Sequence, residues 1–160
     1  MTNPTADNVG NFTIEVLQFR PIGPISSSAT ITFNKNDSDT DVFSLKGQRI
    51  YINQDNVKPT PPVCMIFTMS SSDYIFSGAT FMDTTDEPVD QHPHVTIETP
   101  NLSKKARAAQ QPCSKMTINN YKIIKNSVYD YVIFIQNRKT SAPGIIDPDI
   151  ETNAGGNVDP

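Results

Sequence analysis

The sequence predicts an all-β domain folded as an antiparallel β-sandwich. Three observations carry that expectation. The 160 residues hold 17 Ile, 10 Val and 16 Thr against only 3 Leu and 8 Ala. β-Branched side chains lose rotamers on a helix and fit a pleated sheet, whereas Leu and Ala are the best helix formers. Thirteen Pro and 14 Asn punctuate the chain, which favours turns over long helices. Apolar residues alternate with polar ones in short runs that recur roughly every 10–15 residues, without internal repeat or βαβ rhythm. A chain of this length buries about two-thirds of its surface on folding, enough for one core without metal or disulfide staples.

Residues 1–10 are polar and are expected as a flexible N-terminus. Phe12, Ile14 and Val16 then alternate with Thr13 and Glu15 before the phase slips to Leu17 and Phe19, which predicts a strand carrying a bulge. Pro21, Gly23 and Pro24 stop it. Ala29, Ile31 and Phe33 mark a second strand. Beyond the acidic stretch 34–41, residues 42–45 begin a return that Gly47 turns into 49–53, with Ile50 and Ile52 on one face. Pro59, Pro61 and Pro62 close that unit, because proline cannot donate to a ladder.

Residues 63–69 and 74–82 are longer and more apolar, and 70–73 reads as a hairpin connection between them. Residues 94–98 alternate cleanly, with Val95 and Ile97 inward. The stretch 102–110 reads as a basic loop or a short helix. Met116, Ile118, Tyr121, Ile123 and Ile124 outline the penultimate strand region. Residues 128–135 are apolar on both faces, which predicts a central strand or a packing interface able to extend pairing. The sum is about eight or nine strands in an immunoglobulin-like or jelly-roll-like sandwich over residues 11–137, followed by a tail, 138–160, that docks in part.

Several function classes drop out on composition. The net charge of −4 and the 19% charged residues argue against a nucleic-acid partner, which calls for a basic stripe. No apolar run is long enough to span a bilayer, and the first residues show neither the basic start nor the apolar stretch of an export signal. A cytoplasmic protein with reduced thiols is therefore expected. Cys64 sits in an apolar run and reads as a small core residue, while Cys113 follows Pro112 in a loop. An immunoglobulin bridge between them lacks its companions: there is no Trp, and Gln111 stands where the tyrosine corner would place Tyr.

Four chemistries have candidate residues. His92 and His94 are two apart, so in an extended segment both imidazoles face one way and can grip one transition-metal ion such as zinc, although two rim histidines are ordinary. Asp37, Asp39 and Asp41 place carboxylates at alternate positions as calcium loops do. Val42 and Gln48 occupy the places where an EF-hand needs Gly and Glu, so only a calcium site of another kind, or a solvated turn, is left. No nucleophile elbow, zinc-protease helix or phosphate loop is present, and an enzyme would need a nonlocal hydrolase site. Tyr51, Tyr129 and Tyr131 offer large contact area at low entropy cost for a protein or glycan partner, against the plainer reading of rings packed in the core.

The segment Gly144-Ile145-Ile146-Asp147-Pro148-Asp149-Ile150-Glu151-Thr152-Asn153, following a tyrosine-rich strand, resembles the C-terminal signature of the small bacterial DP-EP proteins. An apolar aromatic strand followed by Gly and Asp-Pro is, more distantly, similar to bacterial inclusion-body proteins. The resemblance covers about ten residues and implies a bacterial cytosolic protein with no catalytic residues to carry over. The expectation is a nonenzymatic sandwich that binds or self-associates, its partner a second copy, another protein or a glycan rather than nucleic acid or membrane. A metal-binding module, a carbohydrate-binding module and a hydrolase are the alternatives.

Overall fold

The computed structural model describes residues 7–23, 25–83, 94–98, 113–119, 128–147 and 149–153. They form an all-β domain of two sheets. The first contains β1 (Val9–Gln18), β2 (Ser28–Phe33), β5 (Cys64–Met69), β7 (His94–Glu98) and β8 (Lys115–Asn119), in the order β2-β1-β5-β8-β7. The second contains β3 (Phe43–Lys46), β4 (Arg49–Asn53), β6 (Tyr74–Asp83), β9 (Val128–Asn137), β10 (Pro143–Ile146) and β11 (Asp149–Asn153). There β6 lies on one side of β9, β10 and β11 lie on the other, and β4 and β3 follow β11.

The core is one cluster drawn from both layers, which is what makes this a sandwich. Period-two alternation puts Phe12 and Ile14 of β1, Met65, Phe67 and Met69 of β5, and Met116 and Ile118 of β8 on the inner face. Ile50, Ile52, Phe76, Ile133 and Ile135 answer from the second sheet. Phe33, Phe12, Phe67, Met116 and Ile97 stand opposite one another in register across the first sheet. Phe12 stacks on Phe33 and Phe67 with centroids 5.3 Å away in each case. Phe43 reaches over from the second sheet to meet Phe12 edge-on, 6.1 Å between centroids at 79°.

The expected bulge falls where the phase slips: the β1–β2 register shifts between Val16 and Gln18. Gly47, at φ +58°, takes the first central position of the two-residue β3–β4 turn, which only glycine occupies without strain in a hairpin of this kind.

Other expectations are corrected. The pairing is mixed, because β1 runs parallel to β5 and β11 parallel to β4. The chain leaves the first sheet after β2, makes the β3–β4 hairpin in the second, and comes back running in the direction of β1. Residues 70–73 are not a hairpin: β5 pairs with β1 and β8, whereas β6 pairs with β9. That connection crosses between layers, and buried Ser114 ties the crossing by accepting the Phe76 N–H on Oγ (3.1 Å) and the Met69 N–H on its carbonyl (2.9 Å).

The sheet extends beyond residue 137, so the segment expected as a tail supplies β10 and β11. Both pair with β9 in one continuous register, Ile146 opposite Ile133 and Asp149 opposite Asp130. The strand count is accordingly eleven among the described residues rather than eight or nine. At the other end, Asn8 is fully buried and Val9 and Gly10 already belong to β1, so order begins before residue 11. β9 is central: β6 pairs with its residues 129–137 on one side, and β10 and β11 with 133–136 and 128–130 on the other. The stretch 102–110 lies outside the described residues.

Candidate functional site

On one side of the sandwich the edge strands β2 and β3 diverge and leave a cleft of about 670 Å³. Alternation again decides its lining. Ile31 and Phe33 of β2 and Phe43 and Leu45 of β3 form an apolar floor. Thr32, Ser44, Thr40 and Lys35 form a polar rim, Lys35 at the start of a 3₁₀ turn, Lys35–Asp37. Thr32, Lys35 and Thr40 are exposed.

One end of the cleft is latched by a side chain. The Ile31 N–H points out of the β2 edge, away from β1, and donates to Oε1 of Gln48 at 2.6 Å. The Gln48 Nε2 donates to the Gly47 carbonyl at 2.9 Å. The β3–β4 turn thus hands its second residue to the edge of the opposite sheet and satisfies a donor that would otherwise invite another strand.

The other end is built on a buried carboxylate. Asp39, 6% exposed, accepts the Asn8 N–H on Oδ2 (2.9 Å) and the Asp41 N–H on Oδ1 (3.2 Å), and its Oδ2 is paired with the Lys58 ammonium. Its own N–H donates to the Val9 carbonyl at 2.7 Å. Asn8, held in the left-handed region at φ +59° where Asn is tolerated, consumes every polar group it has. Its Nδ2 donates to the carbonyls of Lys58 (2.9 Å) and Pro61 (2.6 Å), its Oδ1 accepts the Lys58 N–H (2.8 Å), and its carbonyl accepts the Cys64 N–H (3.0 Å). The start of β1, the loop bearing Lys35 and Thr40, and the proline loop are clasped together.

Burial opposes the charge on Asp39, but the hydrogen bond from Lys58, the Asn8 amide, the attraction of Lys58 and the Asp41 amide together outweigh it and hold the carboxyl below its ordinary range. Lys58 is raised, first by its hydrogen bond to Asp39 against the cost of desolvation, with attraction to Asp39, Asp7 and Asp41 adding to it.

The three carboxylates of the acidic triplet differ in setting. Asp37 closes a 3₁₀ turn, so the alternation that would align carboxylates on a strand is broken. Asp37 and Asp41 are exposed while Asp39 turns inward to Lys58. Among the described residues no group of three or more His, Cys, Asp and Glu side chains is placed to hold a metal ion. His94 opens β7 opposite Asn119; its side chain, and all of His92, lie outside the described residues.

Tyr51 is half-buried between fully buried Ile50 and Ile52, on the outer face of the second sheet; it stands opposite Ser44 of the rim but does not line the cleft. Its register row holds Glu151 and Val128, whereas Tyr129 stands in the row of Ile50 and Ile150, so the register does not bring those two together. The side chains of Tyr129 and Tyr131 lie outside the described residues. Cys64 and Cys113 are both free thiols and both half-buried. Cys64 is not in the core, because Met65, Phe67 and Met69 take the inner face of β5; burial still pushes its thiol up, against a smaller pull from Lys115.

Sequence reasoning missed Gln48, Asn8 and Lys58. A Gly-Gln turn was visible, but the Gln48–Ile31 and Asp39–Lys58 pairings are nonlocal and leave no trace in spacing. Among the described residues no helix is long and apolar enough to cross a membrane. Comparison with family models, curated proteins and solved structures finds no match.

Proposed function

We propose that this protein is a nonenzymatic binding domain that takes an extended protein segment into the cleft between β2 and β3. The observation that carries the reading is the cleft itself. Its volume of about 670 Å³ is of the size that small ligands and peptide side chains occupy, with an apolar floor and a few polar groups at the rim. Ile31 and Phe33 on one wall, and Phe43 and Leu45 on the other, are two residues apart, the spacing at which alternate side chains of an extended peptide present themselves. The likeness of residues 144–153 to the DP-EP proteins supports a bacterial, cytoplasmic setting. If the partner is a second copy, β9 is not the strand that meets it, and the β2 and β3 edges are the ones this reading offers.

The test is a nuclear magnetic resonance titration of labelled protein with a library of extended, apolar peptides. Amide shifts confined to residues 31–35 and 40–45 are expected, and Thr40→Arg, an exposed rim change, should abolish them. Shifts elsewhere, binding that survives Thr40→Arg, or silence across the library would overturn the assignment.

A further inference from the structure

The connection between β1 and β2 is not a free loop. It is fastened along β10: the Ile22 N–H donates to the Pro143 carbonyl and the Ser27 N–H to the Ile145 carbonyl, each at 2.9 Å. Buried Ser27 folds the connection on itself, its Oγ accepting the Arg20 N–H (2.8 Å) and donating to the Arg20 carbonyl (3.1 Å). A Cβ at Gly144 would stand 2.7 Å from the Phe19 ring and 3.0 Å from the Arg20 carbonyl, so the connection seats directly on bare backbone. Phe19 in turn stacks on Tyr74 at 5.7 Å.

This fixed platform holds three large aliphatic side chains in water. Leu17, Ile22 and Ile25 are 61%, 54% and 59% exposed, and they are the large exposed hydrophobics among the described residues. The neighbouring β9–β10 turn, which leads into Pro143, adds Arg138 and Lys139 to the Arg20 of the connection. Asp73, whose carbonyl accepts the Arg138 N–H (2.8 Å), is the acidic residue at that turn. Arg138 is half-buried, and its Nη1 and Nη2 are enclosed by the protein with no hydrogen-bond partner among the described residues, so it does not present its charge at the surface. On a chain of net charge −4 this pole is apolar and carries the cations Arg20 and Lys139, of which Arg20 donates to Gln18 Oε1 at 3.2 Å and Lys139 is exposed.

We propose that this pole docks reversibly on an anionic lipid surface, with Leu17, Ile22 and Ile25 entering the boundary between headgroups and acyl chains while Arg20 and Lys139 face lipid phosphates. Apolar insertion and basic attraction together are what peripheral attachment needs, since either alone is marginal. Ile22 and Ser27 are already held along β10, so little of their freedom is lost on docking. A second copy meeting this pole about a twofold axis would bring two like-charged surfaces together, which charge repulsion disfavours. The sequence expectation of no membrane partner rested on the lack of a spanning segment and does not bear on attachment from one side.

Flotation of the full chain with vesicles of phosphatidylcholine, alone or mixed with phosphatidylglycerol, tests this. The protein should float only with the anionic vesicles, and less at high salt. Ile22→Ser combined with Ile25→Ser should weaken flotation by about tenfold or more, and Lys139→Glu should weaken it too. These positions are exposed, so unchanged melting confirms that each variant is folded. Failure to float on anionic vesicles, or flotation indifferent to the double substitution, would overturn the proposal. So would a dimer in sedimentation velocity that the double substitution dissolves while vesicles stay bare.

Discussion

The ring of Phe43 occupies the space that a side chain at position 10 would need. A Cβ built on Gly10 stands 2.8 and 2.9 Å from the Phe43 ring and 3.0 Å from that of Phe12. The aromatic contact that joins the two sheets therefore depends on the absence of a side chain on β1. The requirement is one of space, since the backbone at Gly10 is not in the left-handed region.

Gly10→Ala should destabilise the fold by about 1–3 kcal/mol, the cost of forcing a methyl into a packed core. Chemical denaturation should show a lower midpoint at an unchanged slope. A midpoint equal to that of the parent would mean that Phe43 has room to move.

The Asp39–Lys58 pair should give stability a plateau with two limbs. Asp39 is lowered from an ordinary 3.8, so its contribution is present above that pH and is lost as pH falls further, through the folded-state value. Lys58 is raised from an ordinary 10.5, so its contribution is complete below that pH and is lost as pH rises through the higher folded-state value. Asp39→Asn should cost about 2 kcal/mol at neutral pH and flatten both limbs. An acid limb as steep in Asp39→Asn as in the parent would assign it to other carboxylates.

Gln48→Ala removes the acceptor for the Ile31 N–H. Hydrogen exchange at Ile31 should quicken about fivefold, corresponding to the roughly 1 kcal/mol of one hydrogen bond, while amides of β5 and β8 keep their protection. Because the β2 edge is then open, the variant should also self-associate more at high concentration. Unaltered exchange at Ile31 would show that the latch is not formed in solution.

Cys64 should be a sluggish nucleophile. Burial favours its neutral thiol, and only the thiolate attacks a disulfide reagent. In the native protein at neutral pH its reaction with Ellman's reagent should lag a free thiol by about tenfold or more, and recover on unfolding. Comparison with Cys64→Ser separates its signal from that of Cys113.

How far the sequence could be read depends on the range of the signal. The slip from Val16 to Leu17 is local, and the bulge sits there. Gly47 is local, and the β3–β4 turn sits there. The alternation of residues 144–153 is interrupted at Asp147-Pro148, so its two strands were read as a tail. The candidate site was legible only in part: Ile31 and Phe33 were read as one strand and residues 42–45 as the start of the return, but nothing in their spacing says that two edges from different sheets enclose a cleft.

The sequence by itself determined that this chain is all-β, where most strands begin and turn, and that their apolar residues alternate. Those are consequences of period-two alternation and turn chemistry, which act over a few residues. Only the tertiary structure decided that β5 and β6 belong to opposite layers, that β1 lies parallel to β5, that the last strands complete a sheet, and that Asp39 answers to Lys58 rather than to its acidic neighbours. Pairing is settled by which distant surfaces fit and which buried charges find partners, and a single strand carries no mark of either.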